Sequence, residues 1–534
     1  MTAAVSLAAL LPAPAEAAER IRFQYGPFGF SIARQDLETF AETGEADGWL
    51  QTLLTRLGSG QREQIRAALQ ARYDVDPVLV NRFSYTSSGR QLLTEAGALV
   101  QTEAGQNGLY GLRAALTLAA ADSEGLTLLN VIEAFPTDIR IDIGNALGIA
   151  REVGRLMAQS EDAMTQLAED SDAIATSQEV DLSDLPDPRQ LGGPTTVQTL
   201  SFYDASRDRR FEADIYAPES PAARLPVIVV SNGLGARRNR FDELAVHLAS
   251  HGFAVAILDH PGSDRQRLQE FYQGIHTENF DAAEYVDRPL DVSFLLDELT
   301  RLNGEQFGDR LNPEAAGVFG YSFGGTTALA LAGATVDRDH LRQACATRSG
   351  LLNISLLYQC RALELSPTQT NLQDERIQAI YVFVPFGRSL YGPQGLAQVE
   401  GPVFWEATEY DVLTPLPIEQ LPSFAWLTAN AGPKSADNGD ERYLVVTQGL
   451  PHARLTLDVI NRLTNQAIAW ETIKPITETY HQMLSLTFFQ VHLAGDEAYR
   501  PFLQASGVKQ LEQTPYRLLW RQGADGTRDL ADER

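Results

Sequence analysis

A chain of 534 residues, 44% hydrophobic and 21% charged, is too long for one ordinary core and too apolar to be wholly disordered. Its formal net charge of −27 argues against a nucleic-acid partner, because phosphates would be repelled. Lys434, Lys474 and Lys509 are the only lysines, so arginine carries nearly all the positive charge, and no run reaches the roughly 18 apolar residues of a membrane span.

Residues 1–17, "MTAAVSLAALLPAPAEA", have the apolar body and small-residue end of a secretory signal, without its positive start. Export is the expectation, and an Ala-rich tail the bland alternative. Residues 18–158 are expected to form a mainly α-helical domain. "SIARQDLETFAETG" offers Ser31 as an N-cap, "GQREQIRAALQARY" and "LYGLRAALTLAAAD" continue the helical period, and only "DIRIDIGN" alternates like a strand. No histidine occurs there. From 159 to 195 the character is that of a linker, with room for some helix at its start: nine acidic residues and no basic one between Glu161 and Asp187, then "LPDPRQLGGPT".

Residues 196–534 change to strand followed by helix. "TVQTLSFYD" and "RRFEADIYAP" read as a hairpin, and "PVIVVSNG" as a buried parallel strand leading to the helix "DELAVHLASHG". "AVAILDHPG", "DRPLDVSFLLDELTRL", "AAGVFGYS" and "GTTALALAG" repeat the unit, and "AIYVFVPFG", "PVFWEATEYD" and "RYLVVTQG" supply three more strands. The alternation predicts an α/β domain with a mostly parallel sheet. Residues 334–378 interrupt it and form a candidate lid. They contain both cysteines. Cys345 and Cys360 read as a disulfide worth about 3 kcal/mol in an exported protein, or as two buried thiols in a reducing cytosol.

"GVFGYSFGG" carries the chemistry. In G-x-S-x-G a strand turns at once into a helix, and Gly320 and Gly324 remove side chains that would collide with the backbone around Ser322. A serine hydroxyl needs a base, and in this setting the chain order is serine, acid, histidine. Of the histidines beyond Ser322, His340 is too close to the nucleophile helix, and His481 and His492 fall in a long late helix. His452, in the loop after "RYLVVTQG", is the candidate base, as against a surface loop histidine. Asp411, where "PVFWEATEYD" becomes loop, is the candidate acid, with Glu409 in reserve and a turn-forming Asp as the alternative. The developing oxyanion needs two amide donors. Phe323 N–H is one, and Leu234 N–H, flanked by Gly233 and Gly235 in "SNGLG", is the other. His247 and His251, four apart, lack a third metal ligand and read as helix-surface residues. Asp259 and His260 either line the pocket or make a turn.

"SNGLG", "LDHPGS", "GYSFGG" and the Asp411/His452 pair resemble the α/β-hydrolase superfamily, in the branch of dienelactone hydrolases and platelet-activating-factor acetylhydrolases. The opening "AERIRFQYGPFGFSIARQDLETFAETG" is similar to a helical N-terminal domain of unknown function found ahead of such hydrolases in cyanobacteria. The resemblance implies a mostly parallel eight-stranded sheet, a triad of Ser322, Asp411 and His452, and oxyanion amides from Leu234 and Phe323. It also implies an acyl-enzyme route on a small-molecule or lipid ester, with no metal or organic cofactor. Two departures stand out. Asn232 occupies a position where relatives often have histidine, and the strand before Asp411 lacks the acid that the acetylhydrolases carry. A lipase or thioesterase acting on long acyl chains, and a non-catalytic binding protein on the same scaffold, are the alternatives.

Overall fold

The computed structural model describes residues 17–220, 224–347, 350–366, 371–429, 441–454, 456–457, 461 and 468–523. Apart from Ala17, the candidate secretory signal lies outside them. Two compact units divide the chain, Met1–Glu152 and Val153–Arg534.

In the first unit, helices including Arg34–Thr43, Pro77–Tyr85, Ser87–Leu99 and Leu109–Ala121 pack with a four-stranded sheet. Its strands, in sheet order, are Phe28–Ala33, Arg20–Tyr25, Ile139–Asp142 and Val100–Thr102. Of these, only "DIRIDIGN" was expected as a strand. The helix expected to start at Ser31 starts at Arg34 instead. Ser31 and Ile32 pair with Arg22 and Ile21 across a hairpin turned at Gly26, whose φ is 56°. That pairing buries Ile21 and Ile32 with Phe40 and Phe135, which outweighs the capping preference of Ser31.

In the second unit nine described strands form one sheet. They are β1 (Thr195–Asp204), β2 (Arg209–Pro218), β3 (Leu225–Ser231), β4 (Ala254–Leu258), β5 (Leu311–Tyr321), β6 (Ile377–Phe383), β7 (Val403–Tyr410), β8 (Arg442–Pro451) and β9 (Leu518–Gln522). Their spatial order is β9-β8-β7-β6-β5-β3-β4-β2-β1. The central strands β4, β3, β5, β6, β7 and β8 run parallel, while β2 and β1 on one side and β9 on the other are antiparallel. Near-continuous apolar runs such as Val227–Val230 and Ala379–Phe383 fit a sheet covered on both faces. The ninth strand, β9, is one more than the eight expected. It pairs Trp520 and Leu518 with Val445 and Thr447 and closes the edge of β8.

The stretch expected as linker starts as helix, continuous over Ile143–Ser177. Ala163, Met164 and Leu167 pack into one core cluster of the second unit and Ala175 into another. Ser171 Oγ accepts from Trp520 N–H, and Asp170 and Asp172 meet Arg521, Lys509 and Arg517. His247, expected on a helix surface, is 1% exposed and donates to the Pro188 carbonyl, while His251 donates to that of Gln190. Among the described residues no helix is long and apolar enough to cross a membrane.

The 334–378 insertion contains helices Arg338–Ala346 and Ile354–Gln359, joined by a disulfide between Cys345 and Cys360. Buried Glu419 ties it down. Its carboxylate accepts from Asn353, Ser355 and Gln359 of the insertion and from the Gly387 and Arg388 amides after β6.

Candidate functional site

β5 ends in the buried Tyr321, and the helix α2 (Phe323–Leu331) begins two residues later. Between them Ser322 adopts φ 53°, ψ −112°, a conformation that costs on the order of 1–3 kcal/mol and persists only where its surroundings enforce it. They do so here. A Cβ on Gly320 would stand 2.3 Å from the Gly324 carbonyl oxygen, and one on Gly324 would stand 1.7 Å from that of Ser231. Ser322 N–H is also fixed by the Phe383 carbonyl of β6 at 2.9 Å. Tyr321 and Phe323 are buried, whereas Ser322 stays partly open to solvent.

The other two sequence candidates meet each other. Asp411 follows β7 and His452 follows β8, at the same carboxyl edge of the sheet where β5 delivers Ser322. His452 Nδ1 lies 2.6 Å from Asp411 Oδ2. Asp411 Oδ1 accepts from the Leu413 and Thr414 amides at 2.8 Å each, and Oδ2 also accepts from the Thr414 hydroxyl. Burial alone would push the Asp411 carboxyl up. The adjacent imidazole and these hydrogen bonds outweigh it and hold the carboxyl below its ordinary value. An ionised Asp411 can only accept, so Nδ1 of His452 is the donor of this pair. The Tyr321 ring, next to Ser322, lies 5.6 Å from the His452 ring, and its hydroxyl reaches the His452 carbonyl at 3.4 Å. The reserve acid is engaged elsewhere: Glu409 accepts from Gly449 N–H.

The loop after β3 packs against the elbow. A Cβ on Gly233 would sit 3.3 Å from Ser322 Cβ, and Gly235, at φ 68°, donates to the Ser263 carbonyl at 2.7 Å. Among the described residues, neither Leu234 N–H nor Phe323 N–H donates to a backbone carbonyl. Asn232 is 5% exposed, and among the described residues neither atom of its side-chain amide has a hydrogen-bond partner. It lines a small cavity with Gly233, Asp259, His260, Asp264 and Arg288. Asp259 and His260 thus both line this cavity, and Asp259 also pairs with Arg238. His481 is a packed core histidine paired with Glu406 at 2.9 Å. Thr414, which braces the acid, was not singled out from sequence; its place three residues after Asp411 was the available signal. Among the described residues no cluster of His, Cys, Asp and Glu could hold a metal.

A strand order of this kind, with a serine elbow on the central strand, defines an α/β hydrolase, and the chain belongs to that superfamily. A family model described as "alpha/beta hydrolase of unknown function" matches residues 17–142, and one described as "alpha/beta hydrolase fold" matches residues 226–353. A platelet-activating factor acetylhydrolase of Canis lupus familiaris is 28% identical over 177 residues. That match covers 26% of this chain and 39% of the relative's length.

Proposed function

We propose that this hydrolase is a serine esterase, cleaving carboxylic esters through an acyl-enzyme on Ser322, His452 and Asp411. The observation that carries the reading is the 2.6 Å His452–Asp411 pair, set on the sheet edge where the strained Ser322 follows β5. Ser322 Oγ attacks the ester carbonyl carbon while His452 Nε2 takes its proton, and Asp411 stabilises the imidazolium. Leu234 and Phe323 N–H groups receive the oxyanion. Collapse expels the alcohol, protonated by His452. Water then attacks the acyl-enzyme by the same route and releases the acid.

The relative's name points to acetyl esters, and the hydrogen bonds that tie Asn353, Ser355 and Gln359 of the insertion to Glu419, with the disulfide beside them, support short acyl groups over a lipase reading that needs the insertion to open. The same disulfide supports an oxidising, exported setting. Hydrolysis of p-nitrophenyl esters from acetate to palmitate by wild type and Ser322→Ala tests the assignment. Wild-type turnover should be highest on short chains, without a jump at the micelle threshold, and should vanish in the variant. A folded wild type inert on every ester would overturn it.

A further inference from the structure

A second polar cluster, outside the triad, centres on Arg288 of helix α1 (Glu284–Phe307), which is 1% exposed. Its Nη2 donates to the Asn232 carbonyl oxygen and, at 3.2 Å, to Ser231 Oγ. Nη1 donates to Ser263 Oγ at 2.7 Å and Nε to Thr327 Oγ1 at 3.1 Å. The guanidinium carbon lies 4.6 Å from the centre of the Phe323 ring. Each hydroxyl passes its own hydrogen onward. Ser231 donates to His260 Nε2 at 3.0 Å, Ser263 to Glu284 at 2.6 Å, and Thr327 to the Phe323 carbonyl at 3.0 Å. His260 Nδ1–H completes the set on Asp291 at 3.0 Å.

Ser231, His260 and Asp291 look like a second triad, but all three are buried and the serine is already an acceptor for Arg288. Burial, then the charge of Arg288, pulls His260 down to about 3, so the ring is a neutral relay of hydrogen bonds. Burial pulls Arg288 down to about 10 against the opposing pull of Glu284 and Asp291, which leaves it a cation at neutral pH. An ion this deep is costly unless its hydrogen-bonding and its charge are both answered, and this cluster answers both.

What the cluster holds is the oxyanion loop. Leu234 lies between two anchors: the Asn232 carbonyl, gripped by Nη2, and Gly235 N–H on the backbone of Ser263, whose hydroxyl is gripped by Nη1. Because the peptide is planar, fixing the Asn232 carbonyl also fixes the direction in which the chain enters Gly233 and Leu234. On its other side Arg288 holds α2 through Thr327 and the face of Phe323. We propose that Arg288 is a positioning residue of the oxyanion hole, setting the Leu234 amide against the Phe323 amide; the inference rests on the serine-esterase reading above. Arginine suits the task because one planar fork reaches a carbonyl and three hydroxyls, which a lysine ammonium of the same charge cannot.

The test compares wild type, Arg288→Lys and Ser231→Ala, each verified as folded by circular dichroism, on p-nitrophenyl acetate and with a trifluoromethyl ketone inhibitor that forms an oxyanion on the nucleophile. Loss of one oxyanion donor costs about 10²–10³-fold in kcat. Misplacing the loop without deleting a donor should therefore cost Arg288→Lys about 10–100-fold in kcat, with KM within threefold. Affinity for the ketone should fall in step with kcat/KM, which a merely structural role would not produce. Ser231→Ala, which keeps the Asn232 contact, should lose severalfold in the same pattern, and it decides the matter if Arg288→Lys does not fold. Unchanged kcat in the folded variants, or a rise in KM alone, overturns the role of Arg288 while leaving the esterase intact. A wild type that neither turns over the ester nor binds the ketone overturns both readings.

Discussion

Gly324→Ala tests the elbow most directly. The new Cβ would stand 1.7 Å from the Ser231 carbonyl oxygen, 2.5 Å from its carbon and 3.1 Å from the Asn232 carbonyl oxygen. All three are backbone atoms at the end of β3 and the start of the loop that follows it, so no flexible side chain can yield. Either that loop or the first turn of α2 must retreat by more than an ångström. Misplacement on the order of 1 Å costs about 100-fold in rate, or about 2.7 kcal/mol of transition-state stabilisation. Overpacking a dense core costs about 1–3 kcal/mol of stability besides. The assay is kcat and KM on p-nitrophenyl acetate beside thermal unfolding. We expect kcat to fall at least about 100-fold, with a lower Tm and a protein that still folds. A Gly324→Ala variant with wild-type kcat would show that the loop behind Ser322 is not part of the machinery.

Asp411→Asn should preserve the fold yet lower kcat by about 10⁴-fold, as loss of the orienting carboxylate does in serine proteases, measured by ester turnover; a loss under tenfold would remove Asp411 from the triad. Reduction of the Cys345–Cys360 bond, which spans 15 residues, should cost about 3 kcal/mol and lower Tm, read by calorimetry with and without reductant; an unchanged Tm would refute this. Burial pushes the Asp264 carboxyl up to about 6. The folded state therefore binds more protons than the unfolded state between the ordinary aspartate range and that value, and stability contributed by the protonated form is lost as pH rises through about 6. Asp264→Asn, which can still cap the helix at Arg267 N–H, should gain stability over wild type as pH rises from about 4 to about 7, measured by denaturant midpoints; equal pH slopes would refute it.

The candidate site was legible where its chemistry is local in sequence. The elbow declares itself in nine residues, and His452 and Asp411 follow from counting strands, because each parallel strand of the second unit announces itself by an apolar run. Glu409 could not be discarded from sequence alone, since only the bulged pairing of β7 with β8 sends it to Gly449. Most of the small sheet of the first unit was missed because its strands are short, the helical period of "SIARQDLETFAETG" masked the hairpin strand ending at Ala33, and the other pairings join distant segments, as Ile21 does with Ile139. Arg288 was invisible for the same reason. Its partners Asn232, Ser263 and Thr327 come from two separate loops and from helix α2, and nothing in "DRPLDV" distinguishes a buried hub from an ordinary helix charge.

The acidic helix that runs to Ser177 bears on how such a chain can be cut. Asp170 and Asp172 face Lys509, Arg517 and Arg521 close to the far end of the described sequence, and Ser506 and Gln510 hold the Gln178 and Val180 carbonyls. The first and last stretches of the catalytic body are thus stitched together. A fragment trimmed to begin at the first strand, Thr195, would expose the apolar seats of Met164, Leu167 and Ala175 and take the Asp170 and Asp172 carboxylates away from Lys509, Arg517 and Arg521. An autonomous hydrolase fragment has to begin near Val153, and a single proteolytic nick between residues 178 and 194 would leave both pieces held in place.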